Sequence, residues 1–370
     1  MGPTVAYIHH RHLQYNIDLI RKAIGKKKIM AVVKANAYGH GDVEVARTVL
    51  QSGCEYLGVA FVEEGIRLRQ AKIRAPILVF GAHLNISLSK AISYKLEITV
   101  TSESQISFLK KYSAQKRVQI PLHLKIDTGM NRVGFQYDHF ERSLAAILKS
   151  PYLQIKGVYS HFSTSDDEDP AYALLQIQRF EKIKKYIEQK TEQEILFHMA
   201  NSGAIMKFPQ SYYDMVRPGI MLYGQPPSPE CSSPWKLKEV MSLESRLGLI
   251  KLIKKNEPVS YGRRYSTKEL THIGVIPIGY ADGFSRGNTN TARVIIKKEK
   301  YPLVGTICMD MVMVDLGKKL KCKVGDKVVI YGREGRQCVS INDVARRLGT
   351  ISYEVTCSVS PRVPRIHVYD

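Results

Sequence analysis

The sequence predicts an α/β protein, in which an N-terminal (β/α)8 barrel of the TIM type is followed by a mostly antiparallel β domain. Three observations support this fold class. About eight short apolar runs alternate with amphipathic segments over the first 225 residues, as such a barrel requires. A proline-rich segment then interrupts the pattern, and short alternating stretches divided by glycine turns follow it. The length of 370 residues also fits two domains better than one core.

The short apolar runs are the predicted barrel strands, and the amphipathic segments between them are the predicted helices. The strands are expected at residues 29–33, 56–61, 77–80, 98–100, 122–126, 155–159, 195–198 and 215–223. The helices are expected at residues 42–51, 63–70, 103–111 and 171–189. Apolar side chains share one face of the last helix, namely Leu174, Leu175, Phe180, Ile183 and Ile187.

The segment 225–234 marks the predicted boundary between the two domains. It reads QPPSPECSSP, and its four prolines and three serines exclude both a helix and a central strand. We therefore expect the barrel over residues 1–230 and the β domain over residues 231–370. Beyond the boundary, strand-like alternation occurs at residues 273–278, 294–296, 311–316 and 328–331.

The composition bears on partners and location. The formal net charge is +21, but the basic residues are dispersed and carry no interleaved aromatic pattern, so we expect a solvated surface without nucleic-acid binding. The six cysteines form no C-x-x-C pair, which predicts no metal site and a reducing compartment. No apolar run approaches the roughly 18 residues of a membrane span, and the N-terminus lacks signal-peptide character. These features predict a cytoplasmic protein without membrane contact.

Lys34 is the first candidate for chemistry. The segment 31–41 reads AVVKANAYGHG, so Lys34 follows three apolar strand residues and Tyr38 precedes a glycine turn. A lysine at the carboxyl end of a barrel strand faces the active-site rim. Partial burial lowers the pKa of such a lysine and leaves an amine that can form a Schiff base with an aldehyde cofactor.

The same segment closely resembles the motif that surrounds the cofactor lysine of alanine racemases. Further blocks resemble the family in the same order along nearly the whole chain. They are KIDTGMNRVGF (125–135), SHFSTSD (160–166), HMANSG (198–203), VRPGIMLYG (216–224), VSYGRRY (259–265), IPIGYADGFSR (276–286), VGTICMD (304–310) and ISYEV (351–355).

The resemblance implies a fold-type-III enzyme that uses pyridoxal 5'-phosphate to interconvert L- and D-alanine. It also implies a homodimer in the cytoplasm that supplies D-alanine for peptidoglycan. Lys34 is the implied point of cofactor attachment. Hydroxyl and backbone N–H groups suit a phosphate dianion because they donate without a change of protonation. The other implied cofactor contacts are Tyr38, His161, Ser202, Arg217, Gly219, Ile220 and Tyr353.

Two bases on opposite faces of Cα are the implied machinery of racemisation. Lys34 serves one face, and Tyr261, contributed by the partner chain, serves the other. General acid–base groups of this kind contribute roughly 10²–10⁴-fold each. The family places Arg217 against the pyridine nitrogen. Because arginine donates a hydrogen bond but keeps its proton, this contact favours quick reprotonation of Cα over transamination.

The resemblance further assigns the substrate's carboxylate and the second base's oxygen to Arg132 and to the backbone near Met309. Met309, like Tyr261, is expected to come from the partner chain. Lys125 occupies a position that many family members carbamylate and pair with Arg132. A carbamate replaces a cation by an anion, so this pairing is attractive, whereas two unmodified cations repel.

Three other functions are compatible with parts of the pattern. A racemase of broader specificity, acting on serine, would use the same residues. A decarboxylase of the same fold type would carry a glycine-rich phosphate loop and a cysteine–aspartate signature, and neither is found here. A non-catalytic pyridoxal-phosphate carrier would be a single barrel, which leaves the residues after 234, including Tyr261, without a purpose.

Overall fold

The computed structural model describes residues 2–81, 84–228, 231 and 235–370. In the first part of the chain, strands and helices alternate. They are β1 (Val5–His9), α1 (His10–Ile24), β2 (Lys28–Val32), α2 (Lys34–Tyr38), α3 (Asp42–Gln51), β3 (Tyr56–Val59), α4 (Val62–Gln70), β4 (Ile77–Val79), α5 (Asn85–Ser93), β5 (Glu97–Val100), α6 (Glu103–Lys116), β6 (Ile120–Asp127), β7 (Phe135–Gln136), α7 (Glu141–Leu148), β8 (Leu153–Tyr159), α8 (Ala171–Glu188), β9 (Leu196–His198), α9 (Ser202–Lys207) and β10 (Met215–Val216).

Parallel strands form a barrel-like sheet, which confirms the predicted N-terminal architecture. Within the described residues, eight strands pair in the order β10-β2-β3-β4-β5-β6-β8-β9, and β7 adds to β6. Backbone hydrogen bonds from Asp214 to Phe197 (3.0 Å) and from Arg217 to Ala200 (2.8 Å) connect the two ends of this order. The carboxyl ends of the strands therefore gather at one rim, where a barrel of this type builds its site.

The predicted runs agree with the observed barrel strands except at the last one. The run 215–223 contains only the short strand β10, and a 3₁₀ turn follows at Ile220–Tyr223. Pro218 explains the interruption, since it has no N–H group to continue a strand ladder. The helix α8 also buries a face slightly different from the predicted one. Leu174 and Leu175 are 38% and 37% exposed, and the buried face instead includes Ala173 and Ile177.

The second part of the chain is mostly β structure. Its elements are β11 (Met241–Arg246), β12 (Leu249–Ile253), β13 (Thr271–Ile276), β14 (Arg293–Ile296), β15 (Glu299–Val304), β16 (Val312–Gly317), β17 (Lys327–Glu334), β18 (Gln337–Val339), α10 (Ile341–Leu348), α11 (Ser352–Cys357) and β19 (Arg365–Val368). The strands pair in the order β12-β13-β16-β15-β14-β17-β11-β1-β19, and β18 pairs with β17. Every pairing is antiparallel except that of β1 with β19. The predicted antiparallel domain is confirmed.

Strand β1 belongs to this second sheet although it begins the chain. It lies between β11 and β19, so the N-terminus is hydrogen-bonded to both the start and the end of the C-terminal part. Part of the proline-rich segment, including residues 230 and 232–234, lies outside the described residues, and the division at 230/231 stays a prediction. Among the helices that the structure describes, none has the length and apolar character to cross a membrane.

Candidate active site

A cavity of about 430 Å³ opens at the carboxyl ends of the barrel strands. Most of the residues proposed from the sequence line it, although they come from distant parts of the chain. Strand ends and the loops after them supply nearly all of these residues, and helix α11 of the second domain supplies Tyr353. The proposed residues around the cavity are Lys34, Tyr38, Lys125, Arg132, His161, Ser202, Arg217, Gly219, Ile220 and Tyr353.

Lys34 begins an unusual turn. The four residues after it, Ala35 to Tyr38, all have positive φ angles between 52° and 54°, so they form a left-handed helical turn. Such a conformation costs L-residues roughly 1–2 kcal/mol each. The carboxylate of Glu64 accepts a hydrogen bond from the backbone N–H of Ala35 (2.6 Å) and helps to hold the turn. As a result, Lys34 and Tyr38 both reach the cavity from one short segment.

Gly39 ends this turn with φ of 86°, and it meets the second domain. A Cβ atom at Gly39 would lie 2.2 Å from the carbonyl oxygen of Thr356 in α11. Only glycine combines this conformation with such close backbone contact. The contact places α11, and with it Tyr353, next to Tyr38, whose ring centroid is 5.7 Å from that of Tyr353.

The electrostatics of the cavity favour an uncharged amine at Lys34. Burial lowers the pKa of Lys34, and the nearby guanidinium of Arg132 lowers it further, while Glu64 opposes the shift. A lowered pKa leaves more of the unprotonated amine, the form that attacks an aldehyde or accepts a proton.

Neutral hydrogen-bond donors cluster at one side of the cavity. The hydroxyl of Ser202, at the start of α9, accepts hydrogen bonds from the backbone N–H groups of Gly219 (2.9 Å) and Met221 (3.4 Å). A Cβ atom at Gly219 would lie 2.6 Å from the Tyr38 hydroxyl, so glycine keeps this cradle open. The hydroxyls of Tyr38, Ser202 and Tyr353 on this side of the cavity are neutral donors of the kind that suits a phosphate dianion. The donor set therefore fits pyridoxal 5'-phosphate.

Arg217 is buried beneath the cavity and makes several hydrogen bonds. Its Nη2 donates to the carbonyl oxygens of Ser160 (2.7 Å) and Met199 (3.0 Å) and lies 3.3 Å from Nδ1 of His161. Its Nη1 lies 2.9 Å from Nδ1 of His198. Burial lowers the pKa of Arg217 to about 10, so the guanidinium remains a cation at neutral pH. In the described hydrogen bonds Nε does not take part, so donor capacity is left for a ligand.

Lys125 and His161 lie in the same buried cluster of positive charge. Burial, together with Arg217 and Arg132, lowers the pKa of Lys125 to about 7. The pKa of His161 is lowered well below its usual value by burial and then by the same cations. Arg132 itself is exposed, and its backbone N–H donates to Asp127 (3.1 Å). Such a cluster favours an anion, either a ligand or a modified side chain.

Tyr261 and Met309 do not line the cavity of their own chain. The two residues are 73% and 53% exposed, and both belong to the second domain. The backbone carbonyl of Tyr261 accepts a hydrogen bond from the hydroxyl of the buried Thr306 (2.7 Å), and Gly262 beside it has a φ of 69°. The turn that carries Tyr261 is thus held from behind while its side chain projects outward.

Four buried polar residues near Arg217 were missed by the sequence analysis. Tyr159 lies with its ring centroid 5.1 Å from the guanidinium of Arg217, and His198 contacts that guanidinium directly. Glu97 and His123 extend the contact farther into the barrel. A signal for His123 was present, because β6 reads IPLHLKID and its polar residues His123, Lys125 and Asp127 alternate with apolar ones. That alternation indicates a polar barrel interior.

Comparisons with known proteins agree with the geometry of the cavity. The alanine racemase N-terminal domain family matches residues 8–227, and the alanine racemase C-terminal domain family matches residues 240–367. The chain belongs to the alanine racemase family. This membership confirms the family that the sequence motifs indicated.

Relatives and solved structures of the family match over nearly the full length. The alanine racemase of Geobacillus stearothermophilus is 42% identical over 95% of this chain and 90% of its own length. Alanine racemase 2 of Caldanaerobacter subterraneus is 38% identical over 99% of this chain and 95% of its own. The alanine racemase structure from the D-cycloserine-producing Streptomyces lavendulae has a TM-score of 0.95 at 31% identity and covers 100% of this chain and 98% of its own. That from Clostridium difficile 630 has a TM-score of 0.93 at 36% identity, covering 100% and 97%.

Proposed function

We propose that this chain racemises alanine with pyridoxal 5'-phosphate, as a homodimer in which each site uses residues of both chains. The single observation that carries the proposal is the cavity itself. Lys34, a cradle of neutral donors and a buried arginine converge there from separate strand ends, within a chain whose family acts as alanine racemases. A lysine beside a phosphate-type cradle is the arrangement that a pyridoxal-phosphate enzyme needs.

Residues of the cradle would hold the cofactor. The hydroxyls of Tyr38, Ser202 and Tyr353 and the backbone at Gly219 and Ile220 would bind its phosphate. Lys34 would hold its aldehyde carbon, and Arg217 would donate a hydrogen bond to its ring nitrogen, with His161 beside it. When bound, pyridoxal 5'-phosphate supplies an aldehyde that captures the substrate's amine and a ring that withdraws electron density from Cα.

Lys34 is the proposed base for one face of Cα. Its pKa is lowered by burial and by Arg132, so the amine can accept a proton at neutral pH. With the substrate's amine held by the cofactor, Nζ of Lys34 would take the proton from one face of Cα or return it there. The short turn after Lys34 is held by the Ala35–Glu64 hydrogen bond, so the base stays close to its working position.

Arg217 determines the fate of the electron pair at Cα. The guanidinium donates to its ligand but retains its proton at neutral pH, since its pKa is about 10. A ring nitrogen that accepts from Arg217 would stay unprotonated and would withdraw less charge than one held protonated by an aspartate. Negative charge remains near Cα, which favours reprotonation there and disfavours transamination.

The second base is proposed to be Tyr261 of the partner subunit. Racemisation needs a second acid–base group on the other face of Cα. No described tyrosine of the 260–265 segment lines the cavity of its own chain. The outward side chains of Tyr261 and Met309 are suited to enter the cavity of a second copy. Arg132, exposed at the cavity edge, would then bind the substrate's carboxylate.

Lys125 is proposed to carry a carbamate. Its pKa of about 7 leaves a large part of the amine unprotonated at neutral pH. That amine can add to CO2, forming an N–C bond and releasing one proton, and the resulting anion would face Arg132 and Arg217. The exchange replaces repulsion among three cations, the buried Lys125 and Arg217 and the exposed Arg132, by attraction.

A polarimetric or circular-dichroism experiment on the cofactor-loaded protein tests the function. Solutions of L-alanine and D-alanine are expected to converge on the same near-zero signal, without pyruvate or an amine as product. Bound cofactor with two unchanging traces would contradict alanine racemisation. The proposed cytoplasmic role in D-alanine supply for peptidoglycan is tested separately, by rescue of a D-alanine-requiring bacterium. Failure of rescue with active protein would remove only that role.

A further inference from the structure

A row of buried hydrogen bonds crosses the barrel interior behind Arg217. Nη1 of Arg217 lies 2.9 Å from Nδ1 of His198, and Nε2 of His198 lies 2.9 Å from Nδ1 of His123. Nε2 of His123 lies 2.8 Å from Oε2 of Glu97. Each ring nitrogen of the two histidines thus has one partner in the row. Both histidines are fully buried and have no access to bulk water. We name Glu97, His123 and His198 the relay residues.

The two ends of the row determine where its protons are. Arg217 can only donate, so Nδ1 of His198 must accept, and the proton of a neutral His198 is on Nε2. That proton points at Nδ1 of His123, which must also accept, so His123 carries its proton on Nε2 and donates to Glu97. A carboxylate closes the row because it accepts only. Every donor therefore points in one direction, from Arg217 to Glu97.

The surroundings of the His198 imidazole support this assignment. Burial, with Arg217 as the next cause, lowers the pKa of His198 well below its usual value, so this ring is neutral. The ring of Tyr159 stacks on His198 with centroids 4.9 Å apart and planes 7° apart, which holds its orientation. The Tyr159 hydroxyl is in turn hydrogen-bonded to Thr99 (2.9 Å).

Gly157 in strand β8 leaves the space that the His123 ring occupies. A Cβ atom at this position would lie 2.4 Å from Nδ1 and 2.6 Å from Cε1 of His123. The φ of Gly157 is not in the left-handed region, so backbone conformation does not require glycine here. The absence of a side chain serves the placement of the imidazole, and this gives the row a second structural support.

Glu97 lies at the other end of the barrel from the cavity. It is the first residue of β5 and borders a cleft with several cationic side chains, namely Arg69, Lys72, Arg74 and Lys95. Of these four side chains, Arg69 interacts electrostatically with Glu97, while the hydrogen bond of the Glu97 carboxyl group is to His123. The interior of the barrel thus connects the carboxyl group of Glu97 at one end to the arginine of the active site at the other.

We propose that Glu97, His123 and His198 are positioning residues that hold Arg217 as an oriented donor through a one-way chain of hydrogen bonds. The proposal rests on the proposed function, in which Arg217 donates to the ring nitrogen of pyridoxal 5'-phosphate. A neutral His198 that accepts from Nη1 keeps the guanidinium plane fixed, and the carboxylate at the far end prevents the chain from reversing. If the chain reversed, Nδ1–H of His198 would face the N–H groups of Arg217, and two donors would repel.

Nuclear magnetic resonance of the full-length, cofactor-loaded protein with ¹⁵N-labelled histidine tests the direction of the row. His123 and His198 are each expected to show a neutral ring with the proton on Nε2. A proton on Nδ1 of either ring, or a charged ring, would overturn the proposal. The same spectra can be recorded on protein that fails to racemise alanine, so this test is independent of the proposed function.

Substitution of Glu97 tests its effect on catalysis. Leucine has no acceptor, so for Glu97→Leu we expect kcat to fall about 10- to 100-fold with KM for alanine within about 3-fold, as when a positioning partner is lost. Glu97→Gln keeps an acceptor oxygen and should recover most of this loss. Glu188→Gln, on the exposed side of α8, is the control. The Glu188→Gln control should keep the wild-type histidine spectra. If it does and Glu97→Leu has an unchanged kcat, the positioning role is refuted.

Gly157→Ala reaches the same row without changing any of its polar groups. The added methyl group must displace the His123 ring, and it would also lie 2.9 Å from the backbone carbonyl oxygen of Leu196 in β9, the strand that carries His198. We therefore expect altered ¹⁵N signals for both histidines and a kcat loss at least as large as that of Glu97→Leu. Gly248→Ala is the matched control, because its Cβ would have no neighbour closer than 3.5 Å. Altered histidine signals with wild-type kcat would show that the row exists but does not position Arg217 for catalysis.

Discussion

The two halves of the proposed catalytic machinery differ in how they are held. Lys34 and Arg217 lie in a cavity where backbone turns, carbonyl groups and neighbouring rings determine their positions. Tyr261 and Met309 lie on the outside of the second domain, 73% and 53% exposed. Their backbone carbonyls accept hydrogen bonds from Thr306 and Ala281, whereas their side chains project outward. The fold of a single chain therefore positions Lys34 and Arg217. Tyr261 and Met309 instead form part of the surface of that chain.

This difference indicates what dimerisation would contribute. A tyrosine exposed to water does not work as a base for a buried Cα atom, because the two groups never meet. Docking of a second copy would bring the phenol into the cavity and remove water from it at the same time. Since the surface is the same on both copies, one two-fold contact would complete two sites. Each half of the comparison can be tested by breaking it alone.

Loss of Lys34 is expected to have the largest effect. Lys34→Ala removes both the cofactor attachment and one base, so turnover should fall by more than about 10⁴-fold, the upper range for one acid–base group. The long-wavelength absorbance of the lysine-bound cofactor should disappear as well. Lys318→Ala, on the surface of the second domain, should change neither property. An unchanged absorbance in Lys34→Ala would remove Lys34 from the mechanism.

Loss of the Tyr261 hydroxyl should leave the cofactor in place and reduce racemisation by about 10²–10⁴-fold. In Tyr261→Phe the cavity residues of each chain are intact, so absorbance and cofactor affinity are expected to match the wild type. Proton exchange at Cα on the face served by Lys34 should persist in deuterated water. Near-normal racemisation by this variant would rule out the two-base scheme.

Mixing the two inactive variants decides whether the halves come from different chains. Random pairing of Lys34→Ala with Tyr261→Phe chains makes half of the dimers mixed, and each mixed dimer has one complete site if Tyr261 acts in trans. About one quarter of wild-type activity should therefore return after subunit exchange. If Tyr261 acted within its own chain, every site would keep one defect and no activity would return.

Gly219→Ala tests how closely the residues of the cavity are packed, and a smaller effect is expected. The new Cβ would lie 2.6 Å from the Tyr38 hydroxyl, so that hydroxyl must move and the affinity for the cofactor should fall about 10-fold, or 1.4 kcal/mol. Tyr38→Phe removes the clashing atom. In that background Gly219→Ala should cost less than about 3-fold, a non-additivity that identifies direct contact. Additive losses would mean that the glycine acts in another way.

The sequence allowed prediction of the fold class and of residues that come after strand ends, for a physical reason. Strand periodicity and the family motifs both lie along the chain, and the rim of a barrel collects the residues at the end of each strand. The same reasoning could not place β1 in the second sheet, because a pairing of β1 with β11 and β19 joins segments more than 200 residues apart. Nor did it show that α2 is left-handed, since Ala35 and Ala37 carry no local preference for positive φ.

The barrel interior was the other gap. Glu97, His123 and His198 resemble isolated polar residues in apolar strands, and their spacing in sequence carries no information about one another. Only the parallel pairing of β5, β6, β8 and β9 brings them into a row. The polar alternation in β6 indicated that something polar fills the barrel, but the partners come from different strands and needed the three-dimensional structure.

Substitution of Lys125 is expected to have the smallest effect on catalysis. The proposed carbamate of Lys125 would contact Arg132, which would bind the substrate at the cavity edge. With a pKa of about 7, its amine is mostly protonated at pH 6 and mostly free at pH 8, and only the free amine reacts with CO2. In ¹³C-labelled bicarbonate, a carbamate signal should therefore grow across this range and be absent from Lys125→Ala. Lys125→Ala also removes the proposed carbamate that pairs with Arg132. Because Arg132 is exposed, this loss should lower kcat/KM by up to about 5-fold, the equivalent of an exposed ion pair of about 1 kcal/mol. A wild-type protein without the signal at pH 8 would leave Lys125 a neutral amine, and the cluster of Arg132 and Arg217 would then need the substrate's own carboxylate as its anion.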